Sequence, residues 1–555
     1  MVNEGGKSMK KTFAILAAAV AAFALASCNK EALVEPEGIN DETAKTTSEV
    51  IKLNITVGDF GGNESSTATK AVKKGWENGD QINIWFDTNC KQNPDLVIKY
   101  NGTEWKTDTE ATVSGNSPAA SGTLNAIYVE GGISVFTIYD KTGEDYAWFN
   151  PTRSANKYDG HNLAYAMPLT TCVEKASYTY SEETLTATLD AWSFSKVNNT
   201  QVVITGLPST DYALCCDNMS PCYGIIFHNG GIDKCESAAG YYVLPVSNAD
   251  GGAYMFRGYS GSDFTFTLCN ADGTDKRTYS VSGKTLDRTD TKLNAIKIPF
   301  SKFSKVVDCV EIGGKKWAVM NVGATTAASS PATCYGDYFS WGEVKPYYST
   351  INITSATSAT FTWSSDTEGW GGTSTAKTGY TWANYCGNSA FTEWSTVPYD
   401  NNVLTSAHDA ARANWGPAWS MATSDDFVAL RNACTGGTST DASSTTAISS
   451  SQNISTGGVY FLNAAGLTID GVTYGVKGML FVDANDTSLR VFFPAAGTSI
   501  NTGLSYGNTE CFYWASTLSD DSSKGRVLYY SNNKVSPYEK NLRYFGFSVR
   551  PVVAE

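Results

Sequence analysis

Three groups of residues in this chain have side chains that could do chemistry. The first is a single thiol, Cys28, directly after Leu25-Ala26-Ser27 and behind the apolar run Phe13–Leu25, with Lys10 and Lys11 ahead of it. A basic start, a short apolar stretch and a small-residue site are the parts of an export segment, and the run is too short to span a bilayer. Met9 is the expected start. The second group is Cys215, Cys216, Cys222 and Cys235, with Cys269 further on and His228 in between. Thiolates and an imidazole are the ligands zinc prefers. The spacing matches no C-x-x-C pair, however, and adjacent cysteines rarely both reach one ion. Disulfides or buried thiols are therefore expected, and no metal or other cofactor is assigned. The third group is Asp337, Trp341 and Glu343. Two carboxylates flanking an indole could form a polar–aromatic platform for a sugar; alternatively Trp341 is core and the acids cap loops.

Nine of the 14 tryptophans fall after residue 304. Trp363, Trp370, Trp382 and Trp394 lie in the Ser/Thr/Gly-rich stretch 349–402, as carbohydrate- or protein-contact residues or as a small core beneath a long loop. His408 is placed on the polar side of a helix and read as a surface residue.

Composition narrows the partners. The net charge of −14 opposes nucleic-acid binding, which needs clustered Lys and Arg. Aromatics at 12%, 50 Gly and only 17% charged residues suit β-rich cores separated by turns. No second apolar stretch approaches the roughly 20 residues of a membrane helix. Beyond Cys28, 12 of the 13 cysteines remain, an even number that permits disulfides after export.

The elements that must position these residues divide by texture. Residues 1–28 form the export segment and 29–49 a polar, acidic tether. From Val50 the chain alternates apolar and polar residues, as in Ile51–Val57, Gln81–Phe86, Gln201–Thr205, Tyr241–Val246 and Asp263–Leu268. This is the period of half-buried strands, so 50–190 and 191–303 are expected to be two β-sandwiches in tandem. Residues 304–555 differ. A helix is expected over Thr405–Trp415, stopped by Gly416-Pro417. A second is expected over Asp425–Cys434, capped by Thr423-Ser424, with Phe427, Leu430 and Cys434 on one face. Two short helices in a strand-rich setting predict an α+β domain.

Several of these segments resemble known families. Leu25–Cys28 is similar to the lipobox of bacterial lipoproteins, which implies an acylated Cys28, an outer-membrane or cell-surface location, and membrane contact through the lipid. Thr69-Lys70-Ala71, Trp76-Glu77-Asn78-Gly79-Asp80-Gln81-Ile82, Tyr100–Trp105, Gly283–Leu286 and Leu293–Ile298 resemble the fimbrillin-like proteins of Bacteroidales. That resemblance implies transthyretin-like sandwiches, cleavage after a basic residue, here Lys70 before Ala71 (or Lys73 or Lys74), and pilus assembly with other fimbrial subunits by strand exchange.

The later blocks form an ordered series: Val310–Ala324, Gly336–Glu343, Trp419–Thr423, Phe492–Gly497, Tyr513–Thr517 and Gly546–Val552. They resemble the Fibrobacter major paralogous domain, related to formylglycine-generating enzymes and C-type lectins; Ser420 and Ala422 depart from the usual Arg and Pro. The resemblance implies a C-type-lectin-like fold. The copper-site cysteine pair, the His-rich iron site and the calcium triplets of that wider group are missing, so a binding module is expected rather than an enzyme. The expectation as a whole is a surface adhesin, most concretely a fimbrial tip subunit because Arg550–Val553 closes a domain. Its ligand would be a glycan or a host or bacterial surface protein. The alternatives are a tethered lipoprotein that captures polysaccharide and, less favoured, a formylglycine-generating type of enzyme.

Overall fold

The chain was analysed as a computed structural model, which describes residues 49–58, most of 75–363 in segments, and nearly all of 399–554. Residues 1–48, 59–74 and 364–398 are the longest stretches outside it. The described chain is mainly β.

An eight-stranded sheet runs Trp105–Lys106, Leu96–Tyr100, Gln81–Phe86, Ser121–Val129, Thr170–Ser181, Thr184–Leu189, Glu49–Val57, Ala111–Val113. All neighbours are antiparallel except Glu49–Val57 and Thr184–Leu189, which run parallel. Residues 200–305 supply a second layer. Thr200–Thr205 lies between Gly252–Tyr259 and a parallel Asn294–Pro299, and Phe264–Cys269 pairs with Ala213–Cys216 and Lys276–Val281. Alternating apolar positions from both layers, among them Ile84, Leu124, Leu185, Ile204, Phe266 and Phe303, form one core cluster. A strand presents every second residue to one face, so the alternation in sequence becomes this shared interior. The expected boundary near 190 does not separate the sheets. His161–Ala164 pairs with Tyr242–Val243, and Asp145–Phe149 pairs with Cys222–His228. Strand pairing depends on open edges and register, which the order of strands along the chain does not fix.

The C-terminal module is α+β. Its first and last segments meet in one sheet, where Pro551–Val553 lies between Lys315–Ala318 and Trp419–Met421. The second helix spans Ser424–Thr435. Thr423 and Asp426 form a reciprocal capping box, Gly436 ends the helix at φ +68°, and Phe427, Leu430 and Cys434 are buried. The first expected helix is shorter than read: a 3-10 turn at Ser406–His408 precedes the α-helix Ala410–Trp415. Asp409 divides the two because its carboxylate accepts from both Arg412 N and Met421 N, each at 2.9 Å.

Among the described residues, hydrogen bonds that join this module to the preceding layers include Trp419 Nε1 to Lys305 O at 2.8 Å, Ala418 N to Ser304 Oγ at 2.9 Å, and Arg277 Nη2 to Asn414 O at 2.9 Å. Gly416, at φ +94°, packs so closely that a Cβ there would lie 2.2 Å from Phe303 O. A cleft of about 530 Å³ sits at this joint, lined by Arg277, Phe300, Phe303 and Asn414 among others.

Candidate functional site

The strand Glu49–Val57 sits in the sheet between two others. It pairs in parallel with Thr184–Leu189 from Lys52↔Thr184 to Val57↔Leu189, and antiparallel with Ala111–Val113. Leu53, Ile55 and Val57 are half-buried and pack on the core beside the buried Leu185, Ala187 and Leu189, while Lys52, Asn54 and Thr56 are exposed. The end of the strand is held in two places. Gly58 N donates to Leu189 O at 2.8 Å, and the indole of Trp76 donates to Gly58 O at 3.1 Å. Trp76 in turn meets Trp105, Tyr128 and Trp192 edge-on, with ring centroids 4.8, 5.2 and 5.3 Å away. Only residues 59–74 connect strand and clamp. The expected cleavage residues Lys70 and Ala71 fall in that stretch, which lies outside the described residues; Cys28, in 1–48, lies outside them too.

The ordered blocks from Val310 to Val552 are the framework of their module. Trp341 is fully buried, so of its two expected roles it takes that of a core residue and not that of a sugar platform. Its Nε1 donates to Ala515 O at 2.8 Å, the Arg543 guanidinium lies 4.4 Å from its ring centroid, and Gly525 packs against it. Trp514 makes the reverse bond, Nε1 to Phe339 O at 2.7 Å, so blocks 336–343 and 513–517 are laced together. Asp337 is no platform residue either. Its carboxylate accepts from Tyr348 Oη at 3.1 Å, and burial raises its pKa above the ordinary carboxylate value. Glu343 is half-buried with one carboxylate oxygen enclosed, so it also faces inward. Arg550 of the closing block donates to Ala318 O and Phe492 O, both at 2.8 Å, and stacks 4.5 Å from the Phe493 centroid.

Trp363 ends the hairpin strand Ser358–Trp363, and its side chain lies outside the described residues; Trp370, Trp382 and Trp394 lie outside them entirely. His408 is half-buried rather than on a polar helical surface, with Nδ1 2.9 Å from Gly342 O. Burial pushes the thiols of Cys216, Cys334 and Cys434 up to about 12, so they remain protonated at neutral pH and are poor nucleophiles or metal ligands. Cys215 rises to about 11, mainly through burial.

One exposed aromatic residue escaped the sequence reading. Tyr506 is 56% exposed and sits at φ +59°, a left-handed conformation that costs a bulky residue about 1–2 kcal/mol. Its loop is pinned by Asn508 N to Ala495 O at 2.7 Å, by Gly497 N to Glu510 O at 3.1 Å, and by close packing of Gly507 on Ala356 O. Behind Tyr506 the rings run inward through Phe512 (6.3 Å), Phe547 (4.7 Å) and Trp514 (4.4 Å). Beside it Ser531 Oγ donates to Glu510 Oε1 at 2.9 Å, and the Tyr529 hydroxyl interacts with both side chains. An aromatic set within the turn Ser505-Tyr506-Gly507-Asn508 was the available signal.

No family profile matches this chain, and no curated protein matches it. Among solved structures it is similar to a provisionally named cell adhesion protein from Bacteroides uniformis, at 10% identity over 46% of this chain and 96% of the other, with a TM-score of 0.22. It is also similar to a provisionally named adhesin from Bacteroides ovatus, at 10% identity over 48% and 98%, with a TM-score of 0.23. Scores this low define no shared fold.

Proposed function

We propose that this chain is an exported surface adhesin, most concretely a pilus tip subunit. It would join the next subunit by donor-strand exchange after cleavage between Lys70 and Ala71, and its C-terminal module would bind a glycan or a surface protein. One observation carries this reading: the whole of Glu49–Val57 precedes the cleavage segment, yet its residues 49–51 pair with Ala111–Val113 and its residues 52–57 with Thr184–Leu189. Once cut, it is held only by non-covalent bonds. Its departure would uncover Leu185, Ala187 and Leu189 and leave two strand edges unpaired, a template for an incoming strand with the same alternation. Pro551–Val553 is paired on both sides within its own module, so that strand belongs to the module's own sheet.

A tethered lipoprotein that keeps the strand is the second reading, favoured by the Trp76 clamp on Gly58. N-terminal sequencing of protein extracted from the cell surface separates the two. A chain starting at Ala71 supports assembly, and an acylated Cys28 as the first residue sinks it. The module acts by binding, not catalysis; one equivalent of copper or iron in the purified chain, measured by mass spectrometry, would overturn that.

A further inference from the structure

We propose that Tyr506, with Glu510, Ser531 and Tyr529 at its rim, is a subsite for a neutral saccharide. The proposal deepens the binding role given above to the C-terminal module, and rests on it. Among the described residues the large exposed apolar side chains are Val306, Val472 and Tyr506, and Tyr506 alone is aromatic. A protein partner would need a cluster of such anchors around a buried centre. A single ring edged by polar groups suits a pyranose instead, whose apolar C–H face can lie on an aromatic while its rim hydroxyls seek donors and acceptors.

The rim supplies those groups. Thr509 is exposed with its hydroxyl bonded to Tyr506 O at 2.8 Å, and the Glu510 carboxylate, the Ser531 hydroxyl and the Tyr529 hydroxyl form one connected set. A carboxylate accepts hydrogen bonds from sugar hydroxyls but repels sulfate, phosphate and uronate. The net charge of −14 acts in the same direction, so the ligand class is neutral. The loop is also set before any ligand arrives. Tyr506 O accepts from Glu510 N at 3.0 Å and from Thr509 N at 3.2 Å, while Asn508 and Gly507 tie the turn to neighbouring segments. Binding there would order little that is not already ordered. A bulky residue held in left-handed backbone at an exposed position, where Asn or Gly would be easier, fits a ring kept for contact.

The full exported chain, applied to a printed array of neutral and acidic oligosaccharides, tests this. The intact protein is expected to bind neutral glycans. Tyr506→Asn keeps a residue suited to the backbone and removes the ring. It should lose roughly tenfold in affinity, at the upper end for one aromatic contact, with a melting temperature that does not fall, because Asn tolerates the left-handed backbone better than Tyr. Tyr506→Phe should bind like the parent, and Glu510→Gln should weaken neutral binding while admitting acidic glycans. No neutral-glycan signal from the intact chain, binding only to acidic glycans, or an undiminished signal from Tyr506→Asn would each overturn the subsite. None of these outcomes bears on the processing at Lys70, so the assembly reading stands or falls separately.

Discussion

The indole nitrogen of Trp76 lies 3.1 Å from the carbonyl oxygen of Gly58, so the residue that opens the Trp76–Ile82 block grips the end of the strand the cleavage segment would release. Replacing Trp76 with Phe keeps an aromatic ring and removes the donor. A neutral hydrogen bond is worth about 1 kcal/mol net, so the strand should leave several times faster once the chain is nicked within 59–74. Mass spectrometry of nicked and desalted protein would measure this. Equal retention in both proteins would show that the clamp does not hold the strand.

The two faces of Glu49–Val57 should respond differently to charge. Ile55, opposite Ala187, is half-buried against the core, and Ile55→Asp should destabilise the uncut chain by about 2–3 kcal/mol. Thr56→Asp, on the exposed face, should change stability by less than about 0.5 kcal/mol. Chemical denaturation of the two variants would check the register, and similar losses would refute the inward–outward assignment.

Trp341→Ala should cost about 3–5 kcal/mol, because it removes a fully buried indole together with its bond to Ala515 O. Gly525→Ala should cost about 1–3 kcal/mol, since its Cβ would lie 2.4 Å from Trp341 Cδ1. Both losses belong to folding, so thermal melting should report them with or without any glycan. A Trp341→Ala protein that melts like the parent would reinstate Trp341 as a surface residue.

Asp337 makes stability depend on pH in a defined direction. Burial raises its folded pKa above the unfolded one, so folding favours the neutral acid. That contribution is fully present below about pH 4, where the unfolded carboxyl also binds its proton, and is lost as pH rises through the folded value. Asp337→Asn carries no such charge. Its melting temperature should gain on that of the parent between about pH 4 and pH 7, and the difference should level off at the acid end. A difference that does not vary with pH would remove Asp337 as its source.

Local patterns were legible in the residues themselves. The alternation Ile51–Val57 made a strand, and Thr423 with Phe427, Leu430 and Cys434 made a capped amphipathic helix, because cap chemistry and side-chain periodicity act within a few residues. Pairing partners were not legible in this way. Nothing near His161–Ala164 announces that Tyr242–Val243 will lie alongside it, since strand edges are matched across the fold.

Exposure separated the two aromatics most sharply. Trp341 and Tyr506 both sit among polar residues with a glycine one position on. By composition alone, either could have been a contact residue. Arg543, Gly525 and the carbonyl of Ala515 come from elsewhere in the chain to enclose Trp341, whereas the turn pinned at Asn508 and Gly507 holds Tyr506 out toward solvent. Residue type and local spacing were enough to mark a β-rich chain and the capped helix Ser424–Thr435. Which aromatic meets solvent, and which strands lie beside Glu49–Val57, depended on contacts between residues far apart in sequence, because burial is decided by what covers a side chain.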